Sequence, residues 1–153
     1  MGPVMADLDE RDLAILRTLQ EDARTTYAEI GDRVGLAPST VHQRVRRLER
    51  SKVIRAYRAD LDPEPLGLFV TALVSVMPLD PKQADDLPDR VVELPEVEAC
   101  HSVAGDENYI LKVRTRTTSD LEDFLRRLRE KAGVQTRTTI VLSTPFENRP
   151  IVP

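Results

Sequence analysis

Residues 26–50, TYAEIGDRVGLAPSTVHQRVRRLER, decide the fold of the first third of the chain. Thr26 followed three residues later by Glu29 is the signature of a capping box. Tyr27, Ile30 and Val34 then share one helical face, until Gly35 supplies a C-terminal stop. Past Leu36 and Ala37, Pro38 suits a first helical turn, and Val41, Val45 and Leu48 recur at i, i+4 and i+7. Two short helices joined through a glycine, the second rich in arginine, make a helix-turn-helix pattern. With Val41 as the core direction and about 100° per residue, Val45 and Leu48 fall within about 40° of it, while Ser39, Gln43, Arg46 and Arg50 fall at about 140–200°. The polar face is therefore single and continuous. Residues near the start of such a helix meet base edges, so Ser39, Thr40, Gln43 and Arg44 are candidates for base readout, Gln toward adenine and Arg toward guanine. Arg46, Arg47 and Arg50 are candidates for phosphate contacts. Arg44 lies nearest the core, at about 60°.

Upstream, Leu13, Leu16 and Leu19 recur three apart and Ile15 lies four before Leu19. Asp9 is the expected N-cap ahead of Glu10 and Asp12, with Leu8 and Leu13 as a hydrophobic staple, which predicts a helix over about 10–21. Downstream, the arginine-rich helix should end near Ser51, and Val53–Ala59 reads as a short wing strand with Ile54 and Tyr57 as its bulky members. The segment from Asp60 to Gly67 holds two prolines and a glycine and interrupts both helix and strand. The expected organisation is a DNA-binding domain at 7–59, a linker at 60–67 and a second domain at 68–153.

In that second domain a β-branched strand over 68–77 precedes a helical segment over 84–94, with Pro88 marking its start. Strands at 97–104 and 109–114 flank Gly105-Asp106-Glu107-Asn108, a tetrapeptide suited to an antiparallel hairpin. Ser119 and Glu122 predict a second capping box. It opens a helix striped with Leu121, Phe124, Leu125 and Leu128 and closed near Gly133. A last strand runs over 134–144. The order strand, helix, strand, strand, helix, strand is that of a ferredoxin-like βαββαβ domain, so the fold class is α+β: a winged helix-turn-helix followed by that domain.

Charge separates the halves. The 153 residues carry a net charge of −4, but residues 1–60 are net +1 and residues 61–153 net −5. Between residues 39 and 58 seven basic side chains stand against Glu49 alone. A solvated helix face would need fewer cations, so the stretch favours double-stranded DNA as partner. If six to ten phosphates are neutralised per site, affinity should fall by about 10³ to 10⁵ between 50 and 200 mM salt. The longest apolar run, Leu66–Met77, has 12 residues and is too short to span a bilayer, so no membrane is expected. Residues 1–6 show no secretory pattern and one cysteine forms no intrachain disulfide, which points to the cytoplasm and the nucleoid. On a strand the adjacent Cys100 and His101 would face opposite ways, which removes them as a nucleophile and base. No zinc spacing and no glycine-rich phosphate loop appears. No catalytic residue, metal or cofactor is expected. Taken by its composition, the Gly105–Asn108 segment is only a turn.

The run Leu8-Asp9-Glu10-Arg11-Asp12, the segments Ala28-Glu29-Ile30 and Val34-Gly35-Leu36-Ala37-Pro38-Ser39, and Arg44-Val45-Arg46-Arg47-Leu48-Glu49 with Ile54 resemble the Lrp/AsnC (feast/famine) transcription regulators. So does Ser102-Val103-Ala104-Gly105-Asp106-Glu107-Asn108-Tyr109 in the second half. Pro78-Leu79-Asp80-Pro81 is similar to a segment of the actinobacterial, amino-acid-responsive members. The resemblance covers about Asp7 to Arg149. It implies a C-terminal regulation-of-amino-acid-metabolism (RAM) domain, homodimers that associate further, commonly into octamers, and a free amino acid bound between dimers near the Gly105–Asn108 turn. Asp106 would accept the effector's ammonium, turn N–H groups would meet its carboxylate, and Gly105 would admit it close to the backbone. Asn108 and Tyr109 are further candidate contacts, with Thr136, Thr138 and Thr139 closing the pocket. Two positions depart from the family pattern: Asn108 replaces a frequent acidic residue, and Ala37 stands where a serine often caps the recognition helix, a loss of about 1 kcal/mol unless Ser39 substitutes. Two alternatives remain: an enzyme on the same architecture, as in the sirohaem decarboxylases that look like Lrp/AsnC proteins, and an effector-independent architectural DNA binder.

Overall fold

The computed structural model describes residues 7–80 and 86–152. Pro81 and residues 84–85, which belong to two of the expectations above, lie outside the described residues, as does the segment 1–6. The chain forms two compact units, one reaching to Asp60 and including the tail from Phe146, the other Leu61–Pro145.

The first unit contains α1 (Glu10–Glu21), α2 (Tyr27–Val34) and α3 (Pro38–Arg50). At the start of α1 the Asp9 carboxylate accepts the Asp12 N–H at 2.8 Å, and the Asp12 carboxylate accepts the Asp9 N–H at 3.2 Å. Thr26 and Glu29 close the same reciprocal box on α2. Gly35 ends α2 in the left-handed region at φ 68°, where a side chain would be strained. Ile15, Leu16, Ile30, Val41, Val45 and Leu48 are the buried core, and Leu8, Leu19, Val53 and Ile54 pack against it. Leu13 stands half-buried outside this set.

Gly31 fixes the turn between α2 and α3. Its carbonyl accepts the N–H groups of Gly35 and Leu36, the latter at 2.9 Å, which folds the chain back onto α2. A Cβ at residue 31 would collide with the Leu36 carbonyl oxygen.

Two expectations change here. Val53–Ala59 is not a strand. Lys52 adopts φ 62° and the Ile54 N–H bonds back to the Leu48 carbonyl, so this segment begins as the cap of α3. No neighbouring strand among the described residues offers it a ladder. Nor does Ser39 substitute for the missing cap of α3: Ala37 is the N-cap, and no side chain bonds the free N–H groups there.

The second unit is a four-stranded antiparallel sheet of β1 (Val70–Pro78), β2 (Val97–Ser102), β3 (Tyr109–Thr115) and β4 (Val134–Val141), in the order β2-β3-β1-β4. Helices α4 (Leu87–Val91) and α5 (Thr118–Ala132) cover one face. Val74 pairs with Leu111 and Thr138, and Leu73 with Lys112 and Thr139. Because strand side chains alternate, Ala72, Val74, Val76, Leu111 and Val113 lie on the helix-covered face, and Thr71, Leu73, Ser75 and Lys112 on the other. Leu87, Val91, Leu121, Phe124 and Leu128 complete the core. The segment expected over 84–94 is a helix only over Leu87–Val91, with Pro88 in its first turn. Pro95 explains the early end, since it drives Leu94 out of the helical region. The capping box of α5 is Thr117 with Asp120, two residues before the expected Ser119 and Glu122. β3 ends at Thr115, so the helix starts at the first residue that can cap it.

Gly31→Ala should destabilise the first unit by about 1–3 kcal/mol, because the obstacle is backbone and cannot rotate away. Gly35→Ala, which costs only backbone strain, should lose about 1 kcal/mol. Urea unfolding followed by circular dichroism gives both values.

Candidate functional site

On α3 the buried residues are Val41, Val45 and Leu48, while Ser39, Gln43, Arg46, Arg47 and Arg50 are exposed. Thr40 and Arg44 are half-buried at the edges of that face. The side chains of Arg46 and Arg50 pair with no acid among the described residues, which leaves two guanidinium groups facing solvent.

Arg44 and Arg47 are placed differently. Asp12, with its side chain fully buried, accepts from Arg44 Nη1 at 2.9 Å and pairs with Arg47 Nη2. Arg44 Nη1 also reaches Asp9 at 2.7 Å. The Asp9 carboxyl lies below its ordinary value because it accepts the Asp12 N–H and faces Arg44. The Arg44 guanidinium is pushed up by Asp9 and Asp12. Arg44, a candidate for base readout, is thus a brace between α1 and α3. Its place at about 60° from the core direction puts it within reach of α1. Arg47 keeps half its side-chain surface exposed while one nitrogen is held by Asp12. Two further contacts steady the helix. Tyr57 Oη donates to Glu49 at 3.0 Å, and burial, followed by that carboxylate, pushes its phenol up to about 12. His42 stacks on Tyr27 with centroids 5.3 Å apart.

The second candidate site splits across the sheet. The Gly105–Asn108 turn joins β2 to β3, and Asn108 anchors it: its N–H donates to Val76 at 3.3 Å and its carbonyl accepts from Val103 at 3.1 Å. Gly105, Asp106 and Asn108 are exposed. A Cβ on Gly105 would meet only Glu107 Oε2 at 3.6 Å, so the fold itself tolerates a side chain there. Tyr109 is buried on the helix-covered face, and Thr136 and Thr138 share that face by register. Arg129 Nη1 donates to the Thr136 hydroxyl at 3.3 Å. Thr139 lies opposite Leu73, on the uncovered face. The candidate effector residues therefore do not form one wall. A one-residue step along a strand reverses the side chain, which separates Thr138 from Thr139.

Glu107 is the residue that sequence reasoning passed over. Its carboxylate pairs with Arg137 of β4 and accepts from Ser75 of β1. Its own backbone N–H, then Ser75 and Arg137, hold it below the ordinary glutamate value. Ser75 pairs with Arg137 across the β1–β4 ladder, so the register brings the three together. The available signal was the carboxylate beside Asp106 in the turn, and pairing it with Arg137 needed the register. An acid and a base side by side are the two groups that an amino-acid zwitterion requires.

Cys100 packs against the core of the helix-covered face, with its thiol pushed up by burial, while His101 is exposed. Among the described residues no cluster of three His, Cys, Asp or Glu side chains is placed to hold a metal. Among the described residues no helix is long and apolar enough to cross a membrane.

Asp12→Asn should destabilise the first unit by about 2–3 kcal/mol, because it removes the charge that compensates two guanidinium groups. Glu10→Gln, at an exposed position of the same turn, is the control and should change stability by less than about 0.5 kcal/mol. Thermal melts of the two variants decide it.

Residues 8–49 match the AsnC-type helix-turn-helix domain and residues 70–151 the Lrp/AsnC ligand binding domain. The chain is 45% identical to the HTH-type transcriptional regulator LrpA of Mycobacterium tuberculosis, over 95% of this chain and 97% of that protein. A feast or famine regulatory protein from M. tuberculosis, solved in complex with L-methionine, superposes with a TM-score of 0.93 at 45% identity, covering 95% of this chain and 99% of that one. A Neisseria meningitidis transcriptional regulator, also in complex with L-methionine, gives a TM-score of 0.87 at 31% identity over 94% and 96% of the two chains. With a three-helix unit that presents an arginine-lined helix and an α+β unit matching a ligand-binding domain, the chain belongs to the Lrp/AsnC family of transcriptional regulators.

Proposed function

We propose that the protein is a sequence-specific DNA-binding regulator whose occupancy of DNA is set by a free amino acid bound at the Gly105–Asn108 turn. The observation that carries the DNA half is the α3 surface, where Ser39, Gln43, Arg46 and Arg50 stand exposed opposite a fully buried Val41-Val45-Leu48 stripe. In this reading Ser39, Thr40 and Gln43 meet base edges, Arg46 and Arg50 hold phosphates with help from Arg47, and Arg44 orients the helix. The effector half is supported by the L-methionine complexes of two relatives and by the Glu107–Arg137 pair beside the turn. Glu107 or Asp106 would receive the ammonium and Arg137 or turn N–H groups the carboxylate.

A homodimer places two recognition helices on one operator, and association of dimers, up to an octamer, brings effector turns of neighbouring dimers together. An amino acid that favours one assembly changes which half-sites are engaged together. A shift from 1:99 to 99:1 would need about 5.5 kcal/mol of differential affinity, so a graded response is expected. The protein then acts in the cytoplasm, on the nucleoid, without enzymatic activity.

The test is a salt-controlled titration of DNA from upstream of the protein's own gene, with and without each amino acid, beginning with L-methionine. With Arg44 taken up by α1 and Arg47 partly so, a dimer neutralises about four to six phosphates through α3 rather than the six to ten expected above, so log K should fall against log salt with a slope of roughly −4 to −5, and Arg50→Ala should reduce its magnitude by about 2. A flat salt dependence sinks the DNA reading. Absence of specific binding, with a coloured tetrapyrrole copurifying, would instead favour the sirohaem decarboxylase-like enzyme. Specific binding that ignores every amino acid would leave an architectural role.

Gly105→Val should abolish the effector response while leaving the fold intact, because the space it fills is open in the folded chain. Glu107→Gln should weaken binding about tenfold or more by removing the negative partner of the ammonium. Calorimetric titration with L-methionine checks both, and unchanged binding in both variants removes the site. In the parent chain binding should be full at neutral pH and weaken only as pH falls below the ordinary glutamate range, through the lowered Glu107 value, since protonation removes the same charge.

A further inference from the structure

From Arg50 to Ala59 the chain holds four basic side chains and no acid, before Asp60 and Asp62 end the run. Lys52, Arg55 and Arg58 are exposed, and none of them pairs with an acid among the described residues. Having no ladder to hold it, the segment is fastened to the helices instead. Its first tie is the Ile54 N–H, which bonds the Leu48 carbonyl at 3.1 Å while Val53 and Ile54 pack against the core. Its second is Tyr57, whose Oη donates to Glu49 of α3 at 3.0 Å. Tyr57 also lines a cavity of about 420 Å³ together with Leu19 of α1 and Thr26 and Tyr27 at the start of α2.

The second tie places the segment on one particular flank of α3. At about 100° per residue Glu49 stands about 80° from the Val41 core direction, next to Arg46 at about 140° and Arg50 at about 180°. Arg44 and Arg47 lie round the other side, at about 300° and 240°, where Asp12 of α1 holds them. The acid-bound arginines are thus on one flank, while the unpaired cations of α3 and of the following segment share the other. Tyr57 lies beside the start of α2, and in a helix-turn-helix that helix crosses the DNA backbone. A fastened segment also gives up little conformational entropy when it binds.

We propose that residues 52–58 are a basic arm that follows the sugar-phosphate backbone of double-stranded DNA beside the groove taken by α3, with Arg55 and Arg58 as phosphate contacts and the Tyr57–Glu49 hydrogen bond as the clasp that positions them. The proposal rests on the DNA reading given above. It concerns contacts that carry no sequence information, so the arm adds affinity and length of footprint and leaves base choice to α3.

The experiment compares the full chain with Arg55→Ala/Arg58→Ala and with Tyr57→Phe, on the DNA upstream of the protein's own gene and on a random duplex of equal length. Counted from α3 alone, the slope of log K against log salt is roughly −4 to −5; two arms add four phosphates per dimer and take it to roughly −7 to −9. The double variant should return to roughly −4 to −5 and bind both duplexes about tenfold or more weakly at 150 mM salt, with thermal melts unchanged. The control Arg116→Ala/Lys131→Ala removes the same charge from the sheet unit and should stay within about twofold of the full chain. In hydroxyl-radical footprints the double variant and Tyr57→Phe should both lose protection at the edges of the site and keep its centre. A double variant with the slope and footprint of the full chain overturns the arm, and a Tyr57→Phe footprint identical to that of the full chain overturns the clasp. Footprint edges that persist while the double variant associates more weakly in sedimentation overturn the arm as well, by assigning the segment to an interface between copies of the chain. A full chain whose binding ignores salt removes the DNA reading itself, whereas a slope of −4 to −5 that drops with Arg50→Ala but not with the double variant removes only the arm.

Discussion

A carboxylate with no water of its own must find its compensation in the protein, and Asp12 takes it from the recognition helix. Its two oxygens meet Arg44 and Arg47 of α3, while the same group accepts the Asp9 N–H at the start of α1. One buried charge therefore ties the capping box of the first helix to the middle of the third. The rotation of α3 about its axis is set from two sides: Val41, Val45 and Leu48 sink into the core, and Arg44 is drawn toward α1. What remains to face outward is Ser39, Gln43, Arg46 and Arg50, with Arg47 half held by Asp12. The removal of either half of this brace leaves an uncompensated charge, which is costlier than the pair is worth as a source of stability.

The sheet unit follows a simpler rule with an equally sharp consequence. Alternation assigns every strand residue to one of two faces, so the covered face is aliphatic and the other carries Leu73, Ser75, Lys112 and Arg137. On that uncovered face Glu98 pairs with Lys112 at 3.1 Å and with Arg114 at 2.6 Å, which together outweigh its burial and hold its carboxyl low. Glu107 is in a comparable position at the end of the sheet, with Ser75 and Arg137 as partners. The difference lies in the setting. Glu107 belongs to a turn whose neighbouring residues are exposed, and while its own side chain is only 15% exposed, that of its partner Arg137 is 71% exposed.

Much of this was legible in the residues because it is local. The N-cap at Asp9, the capping box at Thr26, the stop at Gly35, the apolar stripe of α3 and the βαββαβ order were read from spacings along the chain, and each is present; that Asp12 closes a reciprocal box with Asp9 was not read. The misreadings were also local in origin. A run of β-branched and aromatic residues over 53–59 looks like a strand, but a strand exists only with a partner. Thr117-Asp120 and Ser119-Glu122 have the same spacing, and only the end of β3 decides between them.

The sequence by itself determined the helix-turn-helix pattern, the polar face of α3, the charge contrast between the halves and the resemblance that the relatives bear out, because these depend on periodicity and on short-range chemistry. Only the tertiary structure decided that Arg44 braces α1, that Glu107 finds Arg137 and Ser75, that Thr138 and Thr139 part company, and that the last residues return to Gln20. Each of these joins groups far apart in the chain. Such pairings follow from strand register and helix rotation, quantities that the whole core fixes and no single segment encodes.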